Sequence, residues 1–333
     1  MKYIFIFFTI LLFCCTSPNK QILVQNTGET QGTFYHIQYM SENGECYQTK
    51  IDSLLLEIDS SVSIYKSFSI ISKLNNGEQL ETDDIFNSVY FDAVRVWRNT
   101  NGYFDCSVSP LVSHWGFYKE YGYHNLNIDS SEIFDILRKI GMDKTTNNGN
   151  NIFLEDGVSL DFNAIAQGYS VDLISKLLEG YGIKNYLIEV GGEIRCKGVN
   201  ADDNVWTVGV DKPNEEIDLN DRFQFIVRLQ NKSLATSGNY RKFYVNDGVK
   251  YSHTINPKTG FPSRNRLLSV TVVTSECSLA DAYATGFMAM GVERTKKLLD
   301  SIEDQLDVYL IYTDKHGNWE TYITEGMQDI IIN

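Results

Sequence analysis

An acid and an alcohol lie four positions apart in the segment Ala280-Asp-Ala-Tyr-Ala-Thr285. The apolar residues from Cys277 to Met290 predict a helix, and on a helix Asp281 and Thr285 share one face. A carboxylate and a hydroxyl are hard oxygen ligands of the kind that Mg²⁺ accepts. The alternative is a capping or solvated Asp281 beside a Thr285 in the core, and this segment alone does not decide between the two.

A second candidate segment is Asp161-Phe-Asn-Ala-Ile-Ala-Gln-Gly168, where a strand runs into a predicted helix from about Asn163 to Leu178. The first amides of a helix have no partner within it, and they suit an anionic ligand. A simple turn capped by Asp161 or Asn163 is the alternative interpretation.

His253 is the candidate general base. It follows the segment Ala235-Thr-Ser-Gly-Asn-Tyr240 and precedes a predicted turn over Asn256-Pro-Lys-Thr-Gly260. Histidine is the usual base for a hydroxyl nucleophile near neutral pH. A lone histidine is more often structural, so the residue type by itself carries little weight.

The N-terminus has the features of a lipoprotein signal. The stretch from Ile4 to Phe13 is apolar apart from Thr9 and is too short to span a bilayer. Cys15 has a small residue before it and Leu12 three places before it, which is the pattern expected at a lipidation site. We expect a signal peptide over 1–15, a lipid on Cys15 and a tether over 16–27. A plain secretory signal is the alternative.

Composition indicates an ordinary globular protein. Of the 333 residues 43% are hydrophobic and 22% charged. The formal net charge of -14 argues against nucleic acid as a partner. It does not exclude a phosphate-bearing cofactor, because a bound cation can neutralise a pyrophosphate locally. Four cysteines remain after Cys15, without a C-x-x-C spacing, so a zinc site is not expected and buried thiols are: Cys46, Cys106, Cys196 and Cys277.

Hydrophobic periodicity predicts an α+β fold, in which mixed and antiparallel sheets pack against helices. Strands are often adjacent in sequence, which argues against a doubly wound parallel sheet. The predicted helices cover 51–58, 85–97, 131–140 with Asp129 and Ser130 as caps, 163–178 and 277–290. The predicted strands cover 33–39, 184–190, 194–198, 205–210, 223–229, 241–245, 250–254 and 267–273, with shorter ones near 152, 158, 308 and 319.

In their order along the chain, these segments resemble the ApbE family of FAD:protein FMN transferases. The resemblance runs from about Gly28 to about Ile311 and implies one catalytic domain over 28–331. The motifs that carry it are Gly28 to Thr33, Ser63-Ile-Tyr65, Leu74-Asn75, Gly102 to Asp105, Pro110-Leu111, Trp115-Gly116, Asp161 to Gly168 with Asp172, Gly191 to Glu193, Ala235 to Gly238, His253 with Pro257 and Gly260, and Ala280 to Thr285.

The resemblance also implies roles for individual residues. Mg²⁺ would be held by Asp281, Thr285, the backbone oxygen of Ala164 and groups near Ala284. His253 and Asp281 would be catalytic. The positions that would contact FAD are Gln31, Gly32, Thr33, Tyr65, Tyr103, Phe104, Asp105, Asp161, Gln167 and Thr254.

Three residues depart from the family's usual pattern. The family commonly has Met at Gln31, Lys at Gln167 and Asp at Asn256. The change at Gln167 removes one positive contact to the cofactor. These departures bear on FAD affinity and rate more than on the assignment itself.

The implied reaction is Mg²⁺-dependent transfer of FMN from FAD to a Thr or Ser hydroxyl of an acceptor protein, with release of AMP. The implied acceptor is a subunit of a membrane electron-transfer complex, and the enzyme itself would be exported, lipid-anchored and periplasm-facing. Two alternatives keep the same site: an FAD pyrophosphatase that uses water, and a non-catalytic lipoprotein that binds FAD.

Overall fold

The structure, a computed structural model, describes residues 21–118, 130–149, 151–213, 221–239, 243–246, 249–252 and 254–332. The strands in these ranges are β1 (Ile22–Thr30), β2 (Thr33–Ser41), β3 (Thr145–Asn147), β4 (Ile152–Leu154), β5 (Tyr186–Val190), β6 (Glu193–Lys197), β7 (Trp206–Asp211), β8 (Phe223–Leu229), β9 (Lys232–Gly238), β10 (Phe243–Asn246), β11 (Val249–Ser252), β12 (Leu267–Thr274), β13 (Asp307–Thr313), β14 (Trp319–Ile323) and β15 (Ile331–Ile332). The helices are α1 (Gln48–Val62), α2 (Ile70–Asn75), α3 (Asp84–Asn99), α4 (Ser109–His114), α5 (Ser130–Leu137), α6 (Ala166–Gly180), α7 (Cys277–Met290), α8 (Val292–Leu299) and α9 (Glu325–Ile330).

Eight strands form one sheet in the order β1-β2-β5-β6-β9-β12-β13-β14, and every neighbouring pair is antiparallel. Because alternate side chains of a strand face opposite sides, the sheet supplies two cores. Val308 and Leu310 of β13 join the core that contains α6 and α7, whereas Tyr309 and Ile311 join the core beneath β7 and β8. This arrangement confirms the predicted α+β class.

Helix α7 lies within the main core. Every residue of α7 except Thr285 is buried. Small residues allow neighbours to approach its backbone, and a Cβ added at Gly286 would lie only 3.1 Å from Cβ of Phe104. The predicted bounds of this helix, 277–290, are confirmed. They were predictable because a segment that is apolar on nearly all sides indicates a buried helix.

The fold begins earlier than the sequence indicated. Residues 22–27 were expected in the tether, but they form most of β1, which pairs with β2 along its whole length. As an edge strand, β1 buries one face partly and exposes the other, so its hydrophobic alternation is weak. No strand forms at Val158, and α6 begins at Ala166 rather than Asn163. The sequence does not predict β9, because its small polar residues show no hydrophobic alternation.

The cysteines partly follow expectation. Cys106, Cys196 and Cys277 are buried free thiols, but the prediction for Cys46 is wrong because its side chain is exposed. The predictions for Cys15, the signal peptide and Asp129 fall outside the described residues. No helix in the described part of the chain combines the length and the apolar character needed to cross a bilayer.

Candidate functional site

The start of α6 lies against α7, and a hydrogen bond joins the two helices there. The Gly168 amide donates to Oδ2 of Asp281 at 3.2 Å. In a longer helix that amide would donate to the carbonyl of Ala164, but α6 begins at Ala166 with no side-chain cap. The carbonyl of Ala164 therefore stays outside the helical ladder.

Asp281 is a buried carboxylate, and burial raises its pKa to about 7. It forms no ion pair within the described residues. A buried charge is costly unless an opposite charge or a metal compensates it. A divalent cation would supply that charge. The carbonyl of Ala164, just before α6, and the hydroxyl of Thr285, one turn along α7, are hard oxygen donors of the kind that Mg²⁺ prefers. The described residues fit a cation of this class. Ala284 is buried in the core and has no polar side-chain atom, and the role of the groups near it stays a prediction.

Thr285 is the residue of α7 that remains partly exposed. Its Oγ1 lies 3.2 Å from Oγ of Ser237, which belongs to β9. Asp281 and Thr285 are one helical turn apart, so they share a face of α7 as the sequence predicted.

The hairpin between β1 and β2 reaches the first turn of α6. Gln31 and Gly32 form its two-residue turn with φ of 50° and 71°, as in a type I′ turn. Nε2 of Gln31 donates to Oγ of Ser170 at 2.7 Å. Thr33 and Gln167 both lie close to Gly191, where an added Cβ would come within 3.0 Å of each side chain. The structure therefore brings these predicted FAD-contacting residues together.

Asp161 lies just before α6 and is buried. Its Oδ1 accepts the Asn163 amide at 2.7 Å, and its Oδ2 accepts the hydroxyl of Tyr118 at 2.5 Å. Burial raises the pKa of Asp161, and these two donors oppose that rise. Tyr65, which is 66% exposed, accepts a hydrogen bond from Nδ2 of Asn163 at 3.2 Å. Asn163 thus links Asp161 and Tyr65 just before α6.

Asp105 is held by three donors. Its Oδ2 accepts Nε1 of Trp97 at 2.9 Å, and its Oδ1 accepts both the amide and the hydroxyl of Ser107. Phe104 is buried against α7, so its side chain belongs to the core. Its amide donates to Oγ1 of Thr100 at 3.1 Å, which leaves only its carbonyl for a ligand. Tyr103 is partly buried, with the guanidinium of Arg294 5.4 Å from its ring centre.

The segment after β11 carries the remaining predictions. Thr254 is buried and donates to Oδ1 of Asn239 at 3.3 Å. Oδ1 of Asn256 accepts the amide of Lys258 at 2.9 Å, a turn bond that an aspartate would make equally well. The departure at Asn256 therefore preserves the local turn. His253 lies outside the described residues, and its role stays a prediction.

Two residues near the site received no role from the sequence. Ser237 lies in the family motif Ala235 to Gly238, and no local pattern predicts its contact with Thr285. Tyr118 is 43 positions from Asp161, so no local pattern predicts their contact. A separate open groove of about 470 Å³ between α1 and α3 contains none of the predicted residues. Its lining includes Glu57, Asp83 and Asp84, which disfavour a pyrophosphate.

Comparison with known proteins identifies the family of the chain. The family model described as "ApbE family" matches residues 31–310. The chain is 35% identical to the FAD:protein FMN transferase of Vibrio cholerae, covering 92% of both proteins. It is 30% identical to the FAD:protein FMN transferase of Escherichia coli, covering 92% of this chain and 88% of the relative.

Solved structures give the same result. The flavin transferase ApbE from Vibrio cholerae superimposes with a TM-score of 0.83 at 33% identity, covering 93% of this chain and 99% of that one. The ApbE protein from Thermotoga maritima superimposes with a TM-score of 0.80 at 26% identity, covering 94% and 100%. A match of this extent in sequence and in fold shows that the chain belongs to the ApbE family.

Proposed function

We propose that this chain transfers the FMN half of FAD to a Thr or Ser hydroxyl of an acceptor protein. In this reaction the acceptor oxygen forms a bond to the FMN-side phosphorus, the pyrophosphate P–O bond breaks, and AMP leaves. The names of the relatives support the transfer of FMN from FAD to a protein. The hydroxyl acceptor, the metal and the release of AMP are parts of our proposal.

The observation that carries the proposal is the contact of Gly168 with Asp281. It places a buried carboxylate of α7 at the N-terminus of α6. In the first turn of α6 the amide of Ala166 donates to the carbonyl of Phe162 and that of Gly168 to Asp281, which leaves the amide of Gln167 available to an anion. A free amide at a helix N-terminus beside a candidate cation site suits the charge of a pyrophosphate substrate.

Asp281, Thr285 and the carbonyl of Ala164 would hold Mg²⁺. When bound, this ion would neutralise phosphate charge and stabilise the charge that develops on the leaving group. Asp281 must be ionised for that role, and a nearby cation favours the ionised form.

The other residues position the substrate. The hairpin residues Gln31 to Thr33 lie near Gln167 and the start of α6. Asn163 joins Asp161 and Tyr65 just before α6, and the exposed ring of Tyr65 offers a stacking surface. We assign to His253 the removal of the acceptor hydroxyl proton as the new P–O bond forms.

We also propose that the protein is exported and attached to a membrane by a lipid on Cys15. The acceptor would then be an exported subunit of a membrane electron-transfer complex. Globomycin treatment of cells tests the anchor, because it should cause the unprocessed precursor to accumulate. Metabolic labelling with a fatty acid should be lost in Cys15→Ser.

The test of the activity is incubation of the purified chain with FAD, MgCl₂ and a candidate acceptor. We expect the acceptor to gain the mass of FMN with one equivalent of AMP, and expect Asp281→Asn to lose turnover by at least 100-fold. Thr321→Val, a β14 substitution remote from the site, serves as a control.

The products distinguish the alternatives. FMN and AMP released at the same rate with and without acceptor would identify a pyrophosphatase. FAD that stays intact for hours with Mg²⁺ and several exported acceptors would identify a carrier.

A further inference from the structure

A pair of hydroxyls links β9 to the partly exposed position of α7. Oγ of Ser237 lies 3.2 Å from Oγ1 of Thr285. The backbone of Ser237 is fixed, because it pairs with Val270 in the interior of the eight-stranded sheet. Thr285 is fixed because every other residue of α7 is buried. The distance is therefore set by two rigid elements rather than by a flexible loop.

A neutral hydroxyl has one proton and two lone pairs. If Thr285 gives a lone pair to a cation, its proton must point away from that cation and needs an acceptor. Oγ of Ser237 is the acceptor that the structure places within reach. Groups that orient metal ligands in this way commonly change metal affinity by about 10- to 100-fold when they are removed.

We propose that Ser237 is a positioning residue for a divalent cation. It accepts the proton of Thr285 and thereby turns a lone pair of Thr285 toward the metal. This inference rests on the proposed metal role of Asp281 and Thr285. It adds a specific residue, on a strand that no other part of the proposed mechanism uses.

The chain supplies a matched control one position away. Oγ1 of Thr236 lies 2.9 Å from Oγ1 of Thr271, so this pair also joins two hydroxyls across packed elements, here β9 and β12. Adjacent side chains of a strand face opposite sides. Thr236→Ala therefore removes a comparable hydrogen bond from the same strand without removing a partner of Thr285.

The experiment is a titration of the metal-free full chain with Mn²⁺, followed by the electron paramagnetic resonance signal of free Mn²⁺. We expect Ser237→Ala to raise the Kd at least 10-fold. Thr236→Ala should leave it within twofold. Ser237→Thr, which keeps a hydroxyl, should recover most of the wild-type affinity. Ser237→Cys keeps a side chain of similar size with a weaker acceptor, and should fall between wild type and Ser237→Ala.

Kinetics supply an independent measurement. The Mg²⁺ concentration that gives half-maximal rate should rise at least 10-fold in Ser237→Ala, while kcat at saturating Mg²⁺ changes by less than twofold. Wild-type Mn²⁺ affinity in both Ser237→Ala and Ser237→Cys would overturn the inference and leave the proposed function intact. Wild-type protein that binds no Mn²⁺ would overturn the proposed metal site itself.

Discussion

Gly168 of α6 faces the carbonyl oxygen of Cys277 so closely that a Cβ atom added at Gly168 would lie 2.3 Å from that oxygen. The same Cβ would lie 2.9 Å from Cβ of Asp281. Both neighbours belong to α7, and one of them is backbone, which cannot rotate away. The absence of a side chain at Gly168 is therefore what allows the two helices to share the Asp281 hydrogen bond.

Gly168→Ala tests this close approach. Alanine normally stabilises a helix interior by up to about 1 kcal/mol relative to glycine. Here we expect the opposite sign: overpacking should lower the free energy of unfolding by about 1–3 kcal/mol. Metal affinity should fall as well. Gly180→Ala is the control, because no atom lies within 4 Å of its added Cβ. Urea unfolding of both variants measures the effect, and a Gly168→Ala protein as stable as Gly180→Ala would contradict the packing argument.

The stability of the metal-free protein should depend on pH through Asp281. Burial raises the pKa of Asp281 to about 7, from about 3.9 in an unfolded chain. Between these values the folded protein holds a proton that the unfolded chain releases, so the contribution of Asp281 to stability falls as pH rises toward 7. Asp281→Asn, which cannot ionise, should lack this contribution.

The measurement compares wild type and Asp281→Asn by urea unfolding in EDTA. From pH 5.5 to pH 8 the difference in unfolding free energy should shift by on the order of 2 kcal/mol in favour of Asp281→Asn. Saturating Mg²⁺ at pH 8 should stabilise wild type only. A pH-independent difference would show that the carboxylate is already compensated in the metal-free protein.

Tyr118 donates to Asp161 and helps to keep that carboxylate ionised and oriented. We expect Tyr118→Phe to weaken FAD binding about 10-fold, because Asp161 loses a donor to its charged form. Tyr90→Phe is the control, since it removes the hydroxyl that lies 2.6 Å from Oγ1 of Thr145, away from the site. Equilibrium FAD fluorescence gives both affinities. Equal affinities in the two variants would remove Tyr118 from the binding site.

Asp172 joins α6, α7 and β6. Its Oδ2 accepts the Ser278 amide at 2.9 Å, and its Oδ1 accepts Nη1 of Arg195 at 2.9 Å. Asp172→Ala should cost about 3–5 kcal/mol, because it leaves the charge of Arg195 partly buried and uncompensated. Lys197→Met breaks the more exposed pair with Glu179 and should cost at most about 1 kcal/mol. Denaturant unfolding measures both variants, and similar losses of unfolding free energy in Asp172→Ala and Lys197→Met would contradict this account.

Local sequence predicted the elements that are strongly periodic or strongly apolar. The bounds of α7 agree at both ends, and the shared face of Asp281 and Thr285 follows from helical spacing alone. Edge and polar strands were harder. β1 exposes one face and β9 is rich in Ser, Thr and Gly, so neither shows the hydrophobic alternation on which strand prediction depends.

Within the site, local sequence patterns do not predict contacts between residues that are far apart in the chain. The contacts of Gly168 with Asp281 and of Tyr118 with Asp161 join residues 113 and 43 positions apart. Only the packing of the whole domain creates these pairs. The resemblance to the family named Asp161 and Asp281, but it could not show which neighbours hold their carboxylates.

The burial of α7 has a thermodynamic consequence for metal uptake. A helix that is already packed on nearly all sides has no loose segment to order when a cation arrives. Calorimetry of Mn²⁺ binding should therefore give a heat-capacity change near zero, since almost no apolar surface leaves water. The ion would therefore add charge to α7 without changing how this helix packs.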